Sequence, residues 1–154
     1  MEEPCDICRC QTIFACMELL NELQASSHRI LADPSQLRQV FLNLLINSAD
    51  AVGSGRRGTE GRLVIRTTIV EAEIGDRRRR QAMLHIEFQD NGPGIPDEQI
   101  GNIFDPFFTT KEPGKGAGLG LSVSFMIIES FGGRLQVESV AGQGTCMTVS
   151  LPAA

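Results

Sequence analysis

Asp90 is the residue whose position in the chain most suggests chemistry. A period-two alternation sends Leu84, Ile86 and Phe88 to one face of a strand, and Asp90 is the next member of that series. An ionised carboxylate aimed at a covered face is costly without a partner, so Asp90 must meet a donor at the end of the sheet. Amides of its own turn can supply one, and so can the amine of a planar base such as adenine. The residues that follow, Asn91-Gly92-Pro93-Gly94-Ile95-Pro96, place two glycines where a ligand can approach the backbone closely and lie flat against it. A hydrogen bond to a charged acceptor contributes about 1.5–3 kcal/mol, or roughly 10- to 100-fold in affinity, which is enough to select a base.

Three further groups carry polar chemistry. Asn43 and Asn47 are four residues apart in an otherwise apolar segment, so they stand one above the other on one helical face. Their amide oxygens suit a hard cation such as magnesium that already carries phosphate oxygens, although two asparagines can also bond across a core. Asp50 continues that face, near phosphates or in solvent. Gly114-Lys115-Gly116-Ala117-Gly118-Leu119-Gly120-Leu121 is a glycine-rich run leading into a helix, where exposed amides and the positive dipole end suit phosphate oxygens. It matches neither of the commoner nucleotide loops, and by itself it is equally a plain flexible loop. Between these groups lies Ile103-Phe104-Asp105-Pro106-Phe107-Phe108-Thr109-Thr110-Lys111, which holds three of the eight phenylalanines in loop-like surroundings. These rings either extend the core or dock the base of a mobile lid. Lys111 and Lys115 can reach terminal phosphates or remain solvated.

The elements that must position these groups follow from periodicity and punctuation. Ile13, Phe14, Met17, Leu20 and Leu23 have helical spacing, so residues 11–23 are expected to form an amphipathic helix. Asp33-Pro34 is a helix start, and residues 34–52 form a long helix that is apolar most of the way round. Residues 53–61 form a loop, and strands are expected over 62–73 and 83–89. The arginines from Arg77 to Arg80 mark a solvated hairpin loop with no function assigned. A short helix over 97–104 and a helix over 119–131 follow, the latter stopped by Gly132-Gly133. Residues 134–140 and 145–151 read as a closing hairpin. The sum is α+β, an antiparallel-leaning sheet covered on one face by about three helices in a two-layer sandwich.

Composition narrows the partners. A net charge of −5 gives no field for holding a polyanion, so nucleic acid and anionic membranes receive no support. No run approaches the roughly 18 apolar residues of a membrane span, and the acidic start lacks the basic region of a signal peptide, so a cytoplasmic setting is expected. Cys5, Cys8, Cys10 and Cys16 read as reduced thiols on an apolar segment, though their spacing also permits a metal site. At 154 residues the chain reads as a single domain, with residues 1–32 as helix and connector and 33–152 as the core.

In order along the chain, NLLINSADA (43–51), DNGPGIP (90–96), IFDPFFTTK (103–111), GAGLGLS (116–122) and GQGTCMTVSLP (142–152) resemble the boxes of sensor histidine kinases, and look closest to the nitrogen-regulation type. Each string is modest; all five in sequence are highly specific. The resemblance implies the Bergerat ATP-binding fold shared with gyrase, heat-shock chaperone and mismatch-repair ATPases. It implies that Asp90 holds the adenine amine, with Gly92, Gly94 and Ile95 in the same loop, and that Asn47 and Asn43 hold Mg2+. Gly116, Gly118, Leu119, Gly120 and Leu121 would surround the phosphates, and Lys111 and Lys115 would assist the transfer. Thr145 would support Asp90 or the base through its hydroxyl. Phe104 and Phe107 or Phe108 would position a lid over residues 105–117.

Hydrolysing members of that superfamily carry a carboxylate at the place of Asn43. General-base catalysis contributes about 10²–10⁴-fold, so the resemblance favours a kinase over an ATPase; a serine kinase of the anti-sigma type and a silent nucleotide-binding module are the other readings. Three features depart from the pattern: Asp50 stands where many relatives are basic, Ser48 replaces a common alanine, and the segment before Asp33 looks short for a first edge strand. The family's phosphoacceptor is a histidine followed by an acidic residue, whereas His28 precedes Arg29 and His85 precedes Ile86. The implied partners are therefore a histidine-bearing dimerisation segment, of the same or another kinase chain, and a response regulator downstream.

Overall fold

The computed structural model describes residues 17–27, 29–54, 60–75, 79–114 and 116–154; the expectations for residues 11–16, the four early cysteines, His28, Arg77, Arg78 and Lys115 fall outside them. Among the described residues, five strands form one sheet: β1 (Met17–Leu23), β2 (Gly61–Ile74), β3 (Arg79–Asp90), β4 (Arg134–Val140) and β5 (Gly144–Pro152), in the spatial order β1-β2-β3-β5-β4. Only the β1–β2 pair is parallel. The helices are α1 (Pro34–Gly53), the single turn α2 (Asp97–Ile100) and α3 (Gly120–Ser130). The α+β sandwich expected from the pattern is the fold observed.

The strand register explains both the core and the site. Successive rows across β2, β3 and β5 are Ile69–Leu84–Leu151, Thr67–Ile86–Val149 and Ile65–Phe88–Met147, and β4 adds Leu135 and Val137 to the last two. These rows face α1 and α3, where Leu37, Val40, Leu44 and Ile128 complete the buried cluster. The next row is Leu63–Asp90–Thr145–Ser139. At the end of the sheet the core face thus turns from hydrocarbon to three oxygen-bearing side chains.

The long helix begins as its sequence dictates. Asp33 Oδ1 accepts a hydrogen bond from the Gln36 amide at 2.9 Å, and Pro34 takes the first helical position. Asp33→Ala should therefore lower stability by about 1 kcal/mol, read as a shifted urea midpoint with unchanged slope.

Two expectations need correction, and one boundary moves. Residues 17–23 are a strand, not the end of a helix. The outer edge of β2 offers a row of unpaired backbone groups, and pairing with it outweighs the helical spacing of the leucines. In this register Glu18 meets Arg62 at 3.0 Å and Glu22 meets Arg66 at 2.8 Å. The first edge strand, for which the lead-in looks short, is therefore present. The hairpin loop is also tighter than its arginines suggest, because Arg79 and Arg80 lie in β3 and Arg80 approaches Glu71 at 3.6 Å. The short helix stops at Ile100, and the chain continues as single turns through Asn102 and Asp105.

Candidate functional site

Asp90 is 7% exposed at the end of β3. Its Oδ1 accepts from the Gly92 amide at 2.9 Å, and the Thr145 amide and the Ser48 hydroxyl also donate to the carboxylate. Burial pushes its pKa above the ordinary carboxylate value, while these three donors pull it back. The observed site is thus a buried carboxylate whose Oδ1 is fixed by the amide of its own turn.

The loop after Asp90 is shaped by the protein's own packing. A Cβ at Gly92 would lie 3.0 Å from both Ala51 and Asp90 Oδ1, and one at Gly94, where φ is +73°, would lie 2.3 Å from the Val140 carbonyl oxygen. The two glycines therefore let the loop pass between α1 and the β4–β5 turn, a reason the sequence alone did not reveal. Ser139 Oγ ties the loop down: it accepts from the Ile95 amide at 2.8 Å and lies 2.9 Å from both the Gly144 carbonyl and Thr145 Oγ1. One proton arrangement satisfies all three contacts, with Ser139 donating to Gly144 and Thr145 donating to Ser139. Thr145 then supports Asp90 through its amide rather than its hydroxyl, which keeps only lone pairs for a neighbour.

On α1 the stripe Asn43, Asn47, Ala51 spans the space between Asp90 and α3. Asn43 Nδ2 donates to the Gly120 carbonyl and to Ser124 Oγ, both at 3.3 Å, at the start of α3. Ala51 lies against Gly92, and half-buried Asn47 stands between these two contacts. Ser48, one residue along, is buried against Asp90. The strand end and its loop, the stripe on α1 and the start of α3 are therefore contiguous.

The segment between α2 and α3 is tied to the glycine run and to α3. The Phe107 amide donates to the Gly118 carbonyl at 3.0 Å, and at Gly118, with φ +69°, a Cβ would lie 2.6 Å from the Phe107 carbonyl carbon. Phe104 packs on Phe125 with ring centroids 5.3 Å apart, and Phe108 is half-buried against the core. Phe107 is 73% exposed and has a positive φ of 67°. The three phenylalanines thus divide into two anchors and one presented ring. Leu119 is exposed where its carbonyl starts α3, accepting from the Val123 amide and Ser122 Oγ, and Leu121 packs at the margin of the core. Lys111 is ion-paired with Asp50.

Sequence reasoning missed Ser48 and Ser139. A signal existed for the second: Leu135, Val137 and Ser139 form the same alternating series that exposed Asp90. Ser48 was noted as the residue that stands where an alanine is common, one step from Asn47, but was given no part in the site.

Residues 32–154 match the family described as "Histidine kinase-, DNA gyrase B-, and HSP90-like ATPase". The sensor kinase CckA of Brucella abortus (strain 2308) is 38% identical over 128 residues, which cover 80% of this chain and 13% of that protein. The sensor histidine kinase ZraS of Salmonella typhi is 42% identical over 124 residues, covering 80% of this chain and 23% of the relative. The chain therefore spans under a quarter of the length of these two relatives. Among solved structures, the nucleotide-free catalytic domain of histidine kinase ThkA superposes with a TM-score of 0.71 at 28% identity, covering 94% of this chain and 82% of that one. Sequence, sheet order and relatives agree, and the chain belongs to the histidine kinase-, DNA gyrase B- and HSP90-like ATPase family as an ATP-binding domain of the sensor histidine kinase kind.

Proposed function

We propose that this domain binds ATP with Mg2+ and presents the terminal phosphate to a histidine on a separate dimerisation segment, as the first step of a phosphorelay to a response regulator. The observation that carries the reading is the buried carboxylate of Asp90 at the polar end of the sheet, beside the α1 stripe that reaches the start of α3 through Asn43 and Gly120. The adenine amine donates to that carboxylate, and the Gly92–Ile95 loop lies along the base. The phosphates extend toward the glycine run and the amino end of α3, where backbone amides and the helix dipole meet negative charge.

Asn43 and Asn47 fit a magnesium ion bound to those phosphates. The Asn43 amide nitrogen is committed to α3, which leaves its oxygen to act as an acceptor. When bound, the cation would neutralise charge on the phosphate oxygens. The residues of this chain then place the terminal phosphorus for in-line attack by an imidazole nitrogen. The bond from that phosphorus to the bridging oxygen breaks, a phosphorus–nitrogen bond forms, ADP departs, and the imidazole proton leaves to a base on the acceptor segment. An amide at Asn43 cannot take a proton from water, which favours transfer over hydrolysis. The exposed ring of Phe107 gives the acceptor segment an apolar contact beside the cleft. No helix among the described residues is long and apolar enough to cross a membrane, and we read the setting as cytoplasmic.

The test is to mix the chain with labelled ATP, magnesium and the dimerisation segment of a related sensor kinase. Acid-labile label should appear on that segment and not on this chain. Steady phosphate release without label on the segment would favour an ATPase instead, and binding with neither outcome would leave only a nucleotide-binding module.

A further inference from the structure

Lys111 does not present its ammonium freely to the cleft: it is held by the carboxylate of Asp50 on α1. Asp50 is one helical turn from Asn47 and next to Ala51, which lies against Gly92, so its carboxylate stands at the rim of the site. The Lys111 stem passes the glycine run, since a Cβ on Gly116 would lie 3.3 Å from Lys111 Cδ. One side chain therefore connects the lid, the start of the glycine run and α1, across the entry for phosphates on the reading above. The two side chains are 36% and 37% exposed, so water screens the pair and it shifts an equilibrium by no more than about fivefold. An incoming triphosphate offers Lys111 several anionic oxygens in place of one carboxylate.

We propose that Asp50 and Lys111 form an exchangeable latch. Without nucleotide, Asp50 holds Lys111 and with it the base of the lid on α1. Phosphate oxygens displace Asp50 from Lys111, so Asp50 acts as a built-in competitor that sets the affinity for phosphorylated ligands and couples it to the position of the lid. Asp50 is thus a positioning residue that works through Lys111. The inference rests on the nucleotide-site reading for its second half only, because the latch in the free protein is a property of the ion pair itself.

Two measurements on the whole chain test it. In the absence of nucleotide, Asp50→Asn and Lys111→Met should each speed amide exchange over residues 105–114 by up to about fivefold. In calorimetry, Asp50→Asn should bind ATP up to about fivefold more tightly and adenosine unchanged, and the gain should shrink in the Lys111→Met background, where no ammonium remains to compete for. Unchanged lid exchange in both variants, weaker ATP binding by Asp50→Asn, or an equal gain with and without Lys111 would each overturn the latch. Failure of the parent chain to bind ATP would instead remove the nucleotide reading, and lid exchange alone would then decide the first half.

Discussion

Asp90→Ala should bind ATP 10- to 100-fold more weakly than the parent chain in titration calorimetry. The magnitude follows from losing one hydrogen bond to a charged acceptor, about 1.5–3 kcal/mol, with the phosphate contacts left in place. An unchanged affinity would remove the adenine assignment. The same carboxylate makes binding sensitive to pH. Burial raises its pKa above 3.8, so on acidification adenosine affinity should fall at a higher pH than an ordinary exposed carboxylate would dictate, and Asp90→Asn should lose that dependence. Adenosine is the better probe because it carries no titrating phosphate. Stability moves in the opposite sense. A carboxyl whose folded-state pKa exceeds its unfolded value contributes stability that is present below the unfolded value and lost as pH rises through the folded one. Urea midpoints of the parent should therefore contain a component that declines upward from about pH 3.8, and that component should be missing in Asp90→Asn.

Gly144→Ala should both destabilise the fold and weaken ATP binding at least tenfold. Gly144 has φ +125°, and a Cβ there would lie 2.1 Å from the Asp90 carbonyl oxygen. Backbone strain of about 1–3 kcal/mol and overpacking of similar size act together. Relief can come only by moving the end of β3 away from β5, which carries Asp90 off the Thr145 amide. Gly142→Ala provides the control: that glycine is in the same turn with φ +83°, but nothing lies within 4 Å of its Cβ position. It should show the strain without the collision, and so a smaller stability loss with near-parental ATP affinity. Equal effects from the two substitutions would mean that the β3–β5 contact does not govern the site.

Much of this was legible in the chain because it is local. Alternation placed Asp90 on the covered face, Asp33-Pro34 started α1, and the i, i+4 spacing of Asn43 and Asn47 put them on one stripe. What escaped was decided by contacts distant in sequence. The leucines of residues 17–23 have helical spacing, yet the open edge of β2 recruits them as a strand. Gly92 and Gly94 were read as room for a ligand, and they are first of all room for Ala51 and Val140. Asp50 was left between phosphates and solvent because no spacing rule links it to Lys111, 61 residues later.

The parallel edge strand has a topological consequence. Met17 pairs with Gly61, and two residues further on Leu63 pairs with Asp90, so β1 starts at the Asp90 end of the sheet. Two strand spacings and two residues of rise separate Met17 from Asp90, about 12 Å in all. The start of β1 consequently lies beside the carboxylate end of the sheet rather than at the far pole of the domain, and on the proposed reading the same short distance separates it from a bound nucleotide.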